Sequence, residues 1–380
     1  MPNGISKNEE MMKKDWTIKK LGELCRIRTG KLDANAASPN GKYPFFTCSI
    51  TPLKIDSFSF DCECVLVAGN GDLNVKYYEG KFDAYQRTYI IESLDKSLLD
   101  VKYLYLFLSS YIDTLRKQAI GAIIKYIKLG NLTDANLPLP SLEEQKRIVA
   151  VLDKKFAQIE TLKTAAEKNL QNTKQLFQAE LEKAFSNTSW EKKRLDEVCA
   201  ITSKLVDPTQ PEYLDLYHVG GANIESETGI IIDLKTSKEE GLSSGKFTFD
   251  ESMVLYNKIR PYLKKVARPD FSGLCSADMY PLNPKGNITK DYLYYILISD
   301  NFTEYAISKS GRAGMPKVNR EALFAYECYL PPLEEQKRIV AHLDFLSEKV
   351  HQLEEIYTKQ LADCDELKQA FLQKAFEGEL

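Results

Sequence analysis

The nine residues Leu-Glu-Glu-Gln-Lys-Arg-Ile-Val-Ala stand at positions 142–150 and return, letter for letter, at 333–341. Holding that offset of 191 without a gap, residues 142–185 match 333–376 at 21 positions, and both copies end in Lys-Ala-Phe. A match of that extent is an internal duplication and not coincidence. A second correspondence pairs Trp16, Leu21, Glu23 and Cys25 with Trp190, Leu195, Glu197 and Cys199, now at an offset of 174. The chain therefore reads A-B-A′-B′: variable segments at 1–140 and 188–331, each followed by a similar one at 141–187 and 332–380.

Each B segment carries the period of a long helix. Phe156, Ile159, Leu162, Ala166, Leu170, Thr173, Phe177 and Leu181 recur at a mean spacing near 3.6 with no Gly or Pro between them. The second copy repeats the stripe with Leu343, Val350, Leu353, Tyr357, Leu361, Cys364, Leu367 and Leu372. Ser141 with Glu144 forms a capping-box start in the first copy, and Pro332 suits the first turn of the second. At 1.5 Å per residue such a helix is about 66 Å long, so its apolar face needs another helix, and its own repeat is the natural partner. The first helix runs straight into A′, and the second starts from A′. Pairing them requires the second to run backwards along the first, which predicts an antiparallel coiled coil with Phe156, Ile159, Leu162, Leu170, Leu181, Val350, Leu353, Leu361 and Leu372 in its seam.

The A segments mix short apolar runs (64–68, 89–91, 253–256) with helical patterning at 101–117 and 290–309. The expected fold class is α+β: two globular domains separated by two long helices, with approximate two-fold symmetry. Their strand order does not follow from the sequence. Between the runs, basic, aromatic and amide residues interleave: Asn70, Lys76, Tyr77, Tyr78, Lys81, Gln86 and Arg87 in A, and Lys258, Arg260, Tyr262, Lys264, Lys265 and Arg268 in A′. Such side chains can hold phosphates and pair with base edges, although the same letters also make an ordinary solvated surface. A loop with Gly121 and Lys125 precedes one long helix and a loop with Gly311, Arg312, Gly314 and Lys317 the other, so a phosphate-contact role is expected there in both copies.

The 51 basic and 54 acidic residues balance to −3, which excludes a histone-like polycation, and the net acidity sits mainly in the last fifty residues, with 11 acidic against 6 basic side chains. No apolar run approaches a membrane span or a secretion signal, so the expectation is a cytoplasmic chain with no membrane partner. The eight cysteines lack zinc-site spacing and read as reduced thiols, and His218, His342 and His351 are too scattered for a metal cluster. Gly241 to Phe247 lacks the spacing of a phosphate-binding loop, and no methyltransferase or nuclease motif stands out. The chain is expected to be non-catalytic and to hold no cofactor of its own.

The alternation of variable and repeated segments, with Leu-Pro-Leu-Pro-Ser-Leu-Glu-Glu-Gln-Lys-Arg-Ile-Val from 137 and Leu-Pro-Pro-Leu-Glu-Glu-Gln-Lys-Arg-Ile-Val from 330, resembles the specificity subunit of type I restriction-modification systems. Tyr77 to Phe82, Lys258 to Leu263 and Gly314 to Lys317 support the resemblance, which spans nearly the whole chain. It implies two target recognition domains, each reading half of a bipartite, asymmetric site in double-stranded DNA, with the helices as spacer. It also implies two methyltransferase subunits that use S-adenosylmethionine to modify adenine, and restriction subunits that use ATP and magnesium. Expected docking residues are Glu143, Glu144, Lys146 and Arg147 with Glu334, Glu335, Lys337 and Arg338, though these letters serve equally as helix-start charge. The competing expectation is a coiled-coil adaptor without DNA specificity.

Overall fold

The computed structural model describes residues 16–311 and 314–380. It divides into two compact units: residues up to Glu167 with Lys359–Leu380, and Lys168–Thr358. Each long helix contributes one part to each unit.

Unit 1 begins with β1 (Thr17–Lys20), α1 (Leu21–Leu24), β2 (Cys25–Thr29), β3 (Tyr43–Phe46), β4 (Leu53–Ile55), β5 (Phe60–Ala68), β6 (Val75–Ala84) and β7 (Thr88–Ser93). It continues through α2 (Val101–Gln118), α3 (Leu129–Thr133) and β8 (Asn136–Leu139) into the long α4 (Leu142–Ala184). Its six-stranded sheet has the order β2-β7-β5-β6-β3-β4. Every neighbouring pair is antiparallel except β3 and β6, where Phe45 lies opposite Asp83. The unbroken apolar end of β5 follows from burial on both faces: Cys64 and Leu66 enter one core with Phe46 and Phe82, while Val65 and Val67 enter another under α2. Asp100 caps α2 by accepting from the Tyr103 amide at 3.0 Å.

Unit 2 opens with β9 (Glu191–Arg194), α5 (Leu195–Val198), β10 (Cys199–Ala200), β11 (Leu205–Val206), β12 (Tyr217–Val219), β13 (Lys235–Thr236) and α6 (Ser237–Glu240). Then come β14 (Lys246–Phe249), β15 (Val254–Asn257), β16 (Val266–Ala267), β17 (Gly273–Cys275) and β18 (Met279–Pro284). It closes with α7 (Lys290–Ile298), α8 (Asp300–Ser308), α9 (Arg320–Phe324), β19 (Glu327–Leu330) and the long α10 (Leu333–Phe376). Its two sheets, β10-β18-β15-β16 and β11-β14-β17-β12-β13, repeat the strand order of unit 1, with β5 split into β14 and β15, β6 split into β16 and β17, and β11 added at one edge. The lone parallel pairing recurs too, between β12 and β17. The first split falls where Asp250 turns the chain by accepting from the Ser252 amide at 2.9 Å, and the second spans Pro269, which has no donor to give a ladder. The single helix expected over 290–309 is two, because Ser299 is extended (ψ 151°) and its hydroxyl caps α8 through the Phe302 amide.

Along α4 two series of covered positions stand seven residues apart: Gln145, Leu152, Ile159, Ala166 and Thr173, interleaved with Val149, Phe156, Lys163, Leu170 and Phe177. The same positions shifted by 191 are covered along α10, apart from Lys368. This is a strict seven-residue repeat, 3.5 residues per turn, and it corrects the expected seam. Leu162 is 57% exposed and Leu353 38% exposed; Lys163 and Glu354 take the inward places beside them. The 3.6 spacing drifts off the seam by one residue at that point. The other expected seam residues are buried (Ile159, Leu181, Leu372) or half-buried (Phe156, Leu170, Val350, Leu361).

Within each unit the helix segments run antiparallel. In unit 1 Arg147 donates to the Leu380 carbonyl (2.7 Å) and Lys163 to Asp365 (2.8 Å), so rising numbers on one strand of the pair meet falling numbers on the other. In unit 2 Glu180 faces His342 at 3.6 Å and Lys174 faces Glu354 at 3.9 Å. The tail of each helix plugs a core: Phe376 packs on Tyr103 in unit 1, and Phe185 packs on Tyr292 in unit 2, both with ring centroids 5.2 Å apart.

Candidate nucleic-acid interface

The two units build the same joint at corresponding places. In unit 1 the chain leaving β5 turns at Gly69–Asn70–Gly71 and is held by the loop ahead of α3. The Gly71 amide donates to the Lys125 carbonyl and the Ile127 amide to the Gly69 carbonyl, both at 2.9 Å, while Asn70 bridges Tyr126. Gly69 also donates to the Arg87 carbonyl at 2.8 Å, and a Cβ there would lie 2.4 Å from that oxygen, so only glycine fits. In unit 2 the chain leaving β15 is held by the loop ahead of α9: Val318 donates to Lys258 (3.0 Å), Arg260 donates to Pro316 (2.8 Å), and Ile259 bridges Lys317. Arg260 and Lys264 sit in left-handed conformations, φ 52° and 46°. The structure thus gathers Asn70, Gln86, Arg87 and Lys125 in one unit, and Arg260, Tyr262 and Lys317 in the other. Of these, Gln86, Arg87, Lys125, Arg260, Tyr262 and Lys317 are exposed and Asn70 is half-buried. Exposed cations and amides on pinned backbone can contact phosphates and base edges without reorganising.

Other expected interface residues are spent inside the fold. Tyr77 donates to Glu63 at 2.8 Å, and burial raises its hydroxyl pKa. Lys76 bonds Asn74, and burial lowers its pKa. Lys81 is exposed but lies opposite Asp61, several residues along β6 from the joint, with its ammonium 4.8 Å over the Phe58 ring. In unit 2 Lys258 is buried against the Ala277 carbonyl and Asp278, its pKa lowered by burial and by the like charge of Lys317. Lys264 is buried against Asp300 and Gln178. Lys265 donates to the Gly221 carbonyl at 2.6 Å. Arg268 pairs with Asp291 and Asp344 and lies over Tyr294 and Tyr295. Burial is the largest single influence and opposes its charge, but the interactions with Asp344, Tyr295 and Asp291 together outweigh it and raise its pKa. A buried cation needs a partner, so interleaving of basic and aromatic letters marks both interior ion pairs and surface. Arg312 lies outside the described residues.

At the helix starts, Glu143, Lys146, Arg147, Glu334, Lys337 and Arg338 are exposed, while Glu144 and Glu335 are half-buried. Arg147 pairs with Glu144 (2.7 Å), Lys337 with Glu334 (2.8 Å) and Arg338 with Glu335 (2.6 Å). Such partly exposed i,i+3 pairs stabilise little. What sequence reasoning passed over is the glutamine between them. Gln145 and Gln336 are both fully buried. Gln145 accepts from the Asp100 amide (2.9 Å) and donates to the Leu98 and Pro140 carbonyls (2.9 and 3.0 Å). Gln336 repeats the set with the Thr289 amide and the Asn287 and Pro331 carbonyls. The signal was available: a polar residue identical in both copies at a covered position of the seven-residue repeat.

Among the described residues, no group of three or more His, Cys, Asp or Glu is placed to hold a metal, and no helix is long and apolar enough to cross a membrane.

A model of the type I restriction modification DNA specificity domain matches residues 13–171 and again 187–361. The chain is 37% identical over 401 residues to the specificity subunit of the type I restriction enzyme EcoDI of Escherichia coli, covering 96% of this chain and 89% of that one. It is 25% identical to the StySPI specificity subunit of Salmonella potsdam over 72% of this chain and 63% of the relative. Among solved structures, a chain from a study of complex assembly in the type I R-M system superposes with a TM-score of 0.74 at 20% identity, covering 96% of this chain and 98% of that one. The HsdS subunit from Thermoanaerobacter tengcongensis superposes with a TM-score of 0.55 at 20% identity, covering 97% and 98%. At those identities the superpositions show the fold.

Proposed function

The chain belongs to the type I restriction-modification DNA specificity family, and from that premise we propose that it is the DNA-reading scaffold of such a complex. Unit 1 reads one half of a split site and unit 2 the other. The observation that carries this is the duplicated joint: the same backbone clamp presents Asn70, Arg87 and Lys125 in one unit and Arg260 and Lys317 in the other. Identical build with different side chains is what two readers of dissimilar half-sites require, since phosphate contacts can be shared while base contacts must differ. The charged helix starts dock two methyltransferase subunits, one on each repeat, because equal surfaces accept equal partners. Restriction subunits join that core. Methyl transfer and cleavage, with their S-adenosylmethionine, ATP and magnesium, belong to those partners, and this chain contributes binding and placement. The complex works in the cytoplasm.

The test is methylation mapping of DNA from cells expressing the chain with the methyltransferase encoded beside it. The expected outcome is a split adenine motif with a fixed unspecified spacer. An unsplit motif, or none despite a stable complex, would overturn the proposal; retention of partner without sequence-dependent retention of DNA would make the chain an adaptor.

A further inference from the structure

The loop ahead of each clamp leaves apolar side chains in solvent. In unit 1 the 120–126 loop is closed by reciprocal backbone bonds between Ile120 and Tyr126, at 3.0 and 2.8 Å. It is tight: Gly121 has φ 117°, and a Cβ there would lie 2.3 Å from the Ile124 carbonyl oxygen. At its tip Ile123 is 97% exposed and Ile124 is 60% exposed. A single exposed isoleucine is ordinary, but two neighbours on a loop fastened at both ends form a surface shaped to meet something. The corresponding loop of unit 2 presents Met315, 54% exposed, one residue before the Pro316 carbonyl that the Arg260 amide grips.

The charge around both tips identifies the occupant. Residues 114–133 contain Arg116, Lys117, Lys125 and Lys128 and no acid; residues 314–320 contain Lys317 and Arg320 and no acid. Arg116 is taken by Asp72 and Asp113, whereas Lys125 and Lys317 are exposed beside the tips. An aliphatic point between cations suits a duplex, whose phosphates attract the cations and whose base stack admits an apolar wedge. Building on the DNA-reading function above, we infer that Ile123 and Ile124 in unit 1 and Met315 in unit 2 enter the base stack and kink the DNA, one wedge to each half-site. Lys125 and Lys317 hold the flanking phosphates while the clamp keeps each tip from folding away.

The experiment uses the full chain assembled with its methyltransferase subunits and a duplex bearing the mapped site, labelled at its two ends for energy transfer. Wild type is expected to bring the ends together on binding. Ile123→Ser with Ile124→Ser should weaken binding about tenfold or more and straighten the duplex, and Met315→Ser should do the same at its half. Ile123→Leu with Ile124→Leu, and Met315→Leu, should keep affinity and bend. These side chains are exposed, so melting should not change. Serine variants with wild-type affinity and bend would overturn the wedge alone. So would a loss of affinity with the bend kept, or a loss of the methyltransferase subunits from the complex, which would assign the tips to a protein partner. A wild-type complex with no sequence-dependent hold on DNA would overturn the function and the wedge together.

Discussion

Replacing Gln145 with leucine should unfasten unit 1 from the start of its long helix. The side chain is fully buried and makes three hydrogen bonds of 2.9 to 3.0 Å. At about 1 kcal/mol net for each bond, with the Asp100 amide left in a half-buried position without its acceptor, the loss is about 3 kcal/mol. Leucine has similar volume and is apolar, so little cavity forms to add to that figure. The loss should be local. Hydrogen exchange of the full chain should show faster exchange at the Asp100 amide and across the first turn of α2, with the protection of unit 2 unchanged. Gln336→Leu should give the mirror result at Thr289 and α7, where the same three bonds exist. Gln145→Glu adds a pH test. Its carboxylate would face two carbonyl oxygens in a dry site, so its folded pKa is raised above the unfolded value of about 4.3. Stability is then lost as pH rises through that raised pKa. Unchanged protection at Asp100 in Gln145→Leu would refute the idea that this glutamine joins helix to domain.

Further predictions follow from the same geometry. Ile159→Ala should cost about 2 to 4 kcal/mol, whereas Leu162→Lys should stay within about 0.5 kcal/mol, because the first is 4% exposed and the second 57%; urea midpoints decide it, and equal losses would contradict the seven-residue seam. Arg260→Ala should relax recognition at one half-site with subunit assembly intact, and loss at both halves would contradict its assignment. Lys125→Ala should weaken binding evenly across sequences and flatten the slope of log affinity against log salt by about 0.9. His218 donates from Nδ1 to the Glu240 carboxylate at 2.9 Å, and among the described residues its buried Nε2 has no partner; burial depresses its pKa. The unfolded chain then takes up the proton first, so unit 2 should lose stability as pH falls below about 6.5, and His218→Gln should remove that slope in urea unfolding.

The duplication made most of the architecture legible. Two copies of one helix, each feeding the next domain, leave an antiparallel pairing as the natural arrangement, and the order of elements within each unit bears it out. Strand order was illegible because the runs at 64–68 and 253–256 are buried on both faces and carry no alternation from which a neighbour could be read. Leu162 was misplaced because 3.5 and 3.6 residues per turn differ by about half a position over the first half of the helix, enough to turn the step of four from Ile159 to Lys163 into a step of three. Among the interface candidates, Lys264 and Arg268 carry the same letters as Arg260 and Lys317 yet face Asp300, Asp291 and Asp344, acids 23 to 76 residues away in sequence. Only the fold distinguishes a cation held at home from one offered outward.

The division of labour between the units is tested most directly by exchanging residues 191–330 for the corresponding segment of the E. coli relative and mapping methylation again. One half of the motif should change, while the other half stays as in wild type. A motif altered in both halves, or in neither, would contradict the account.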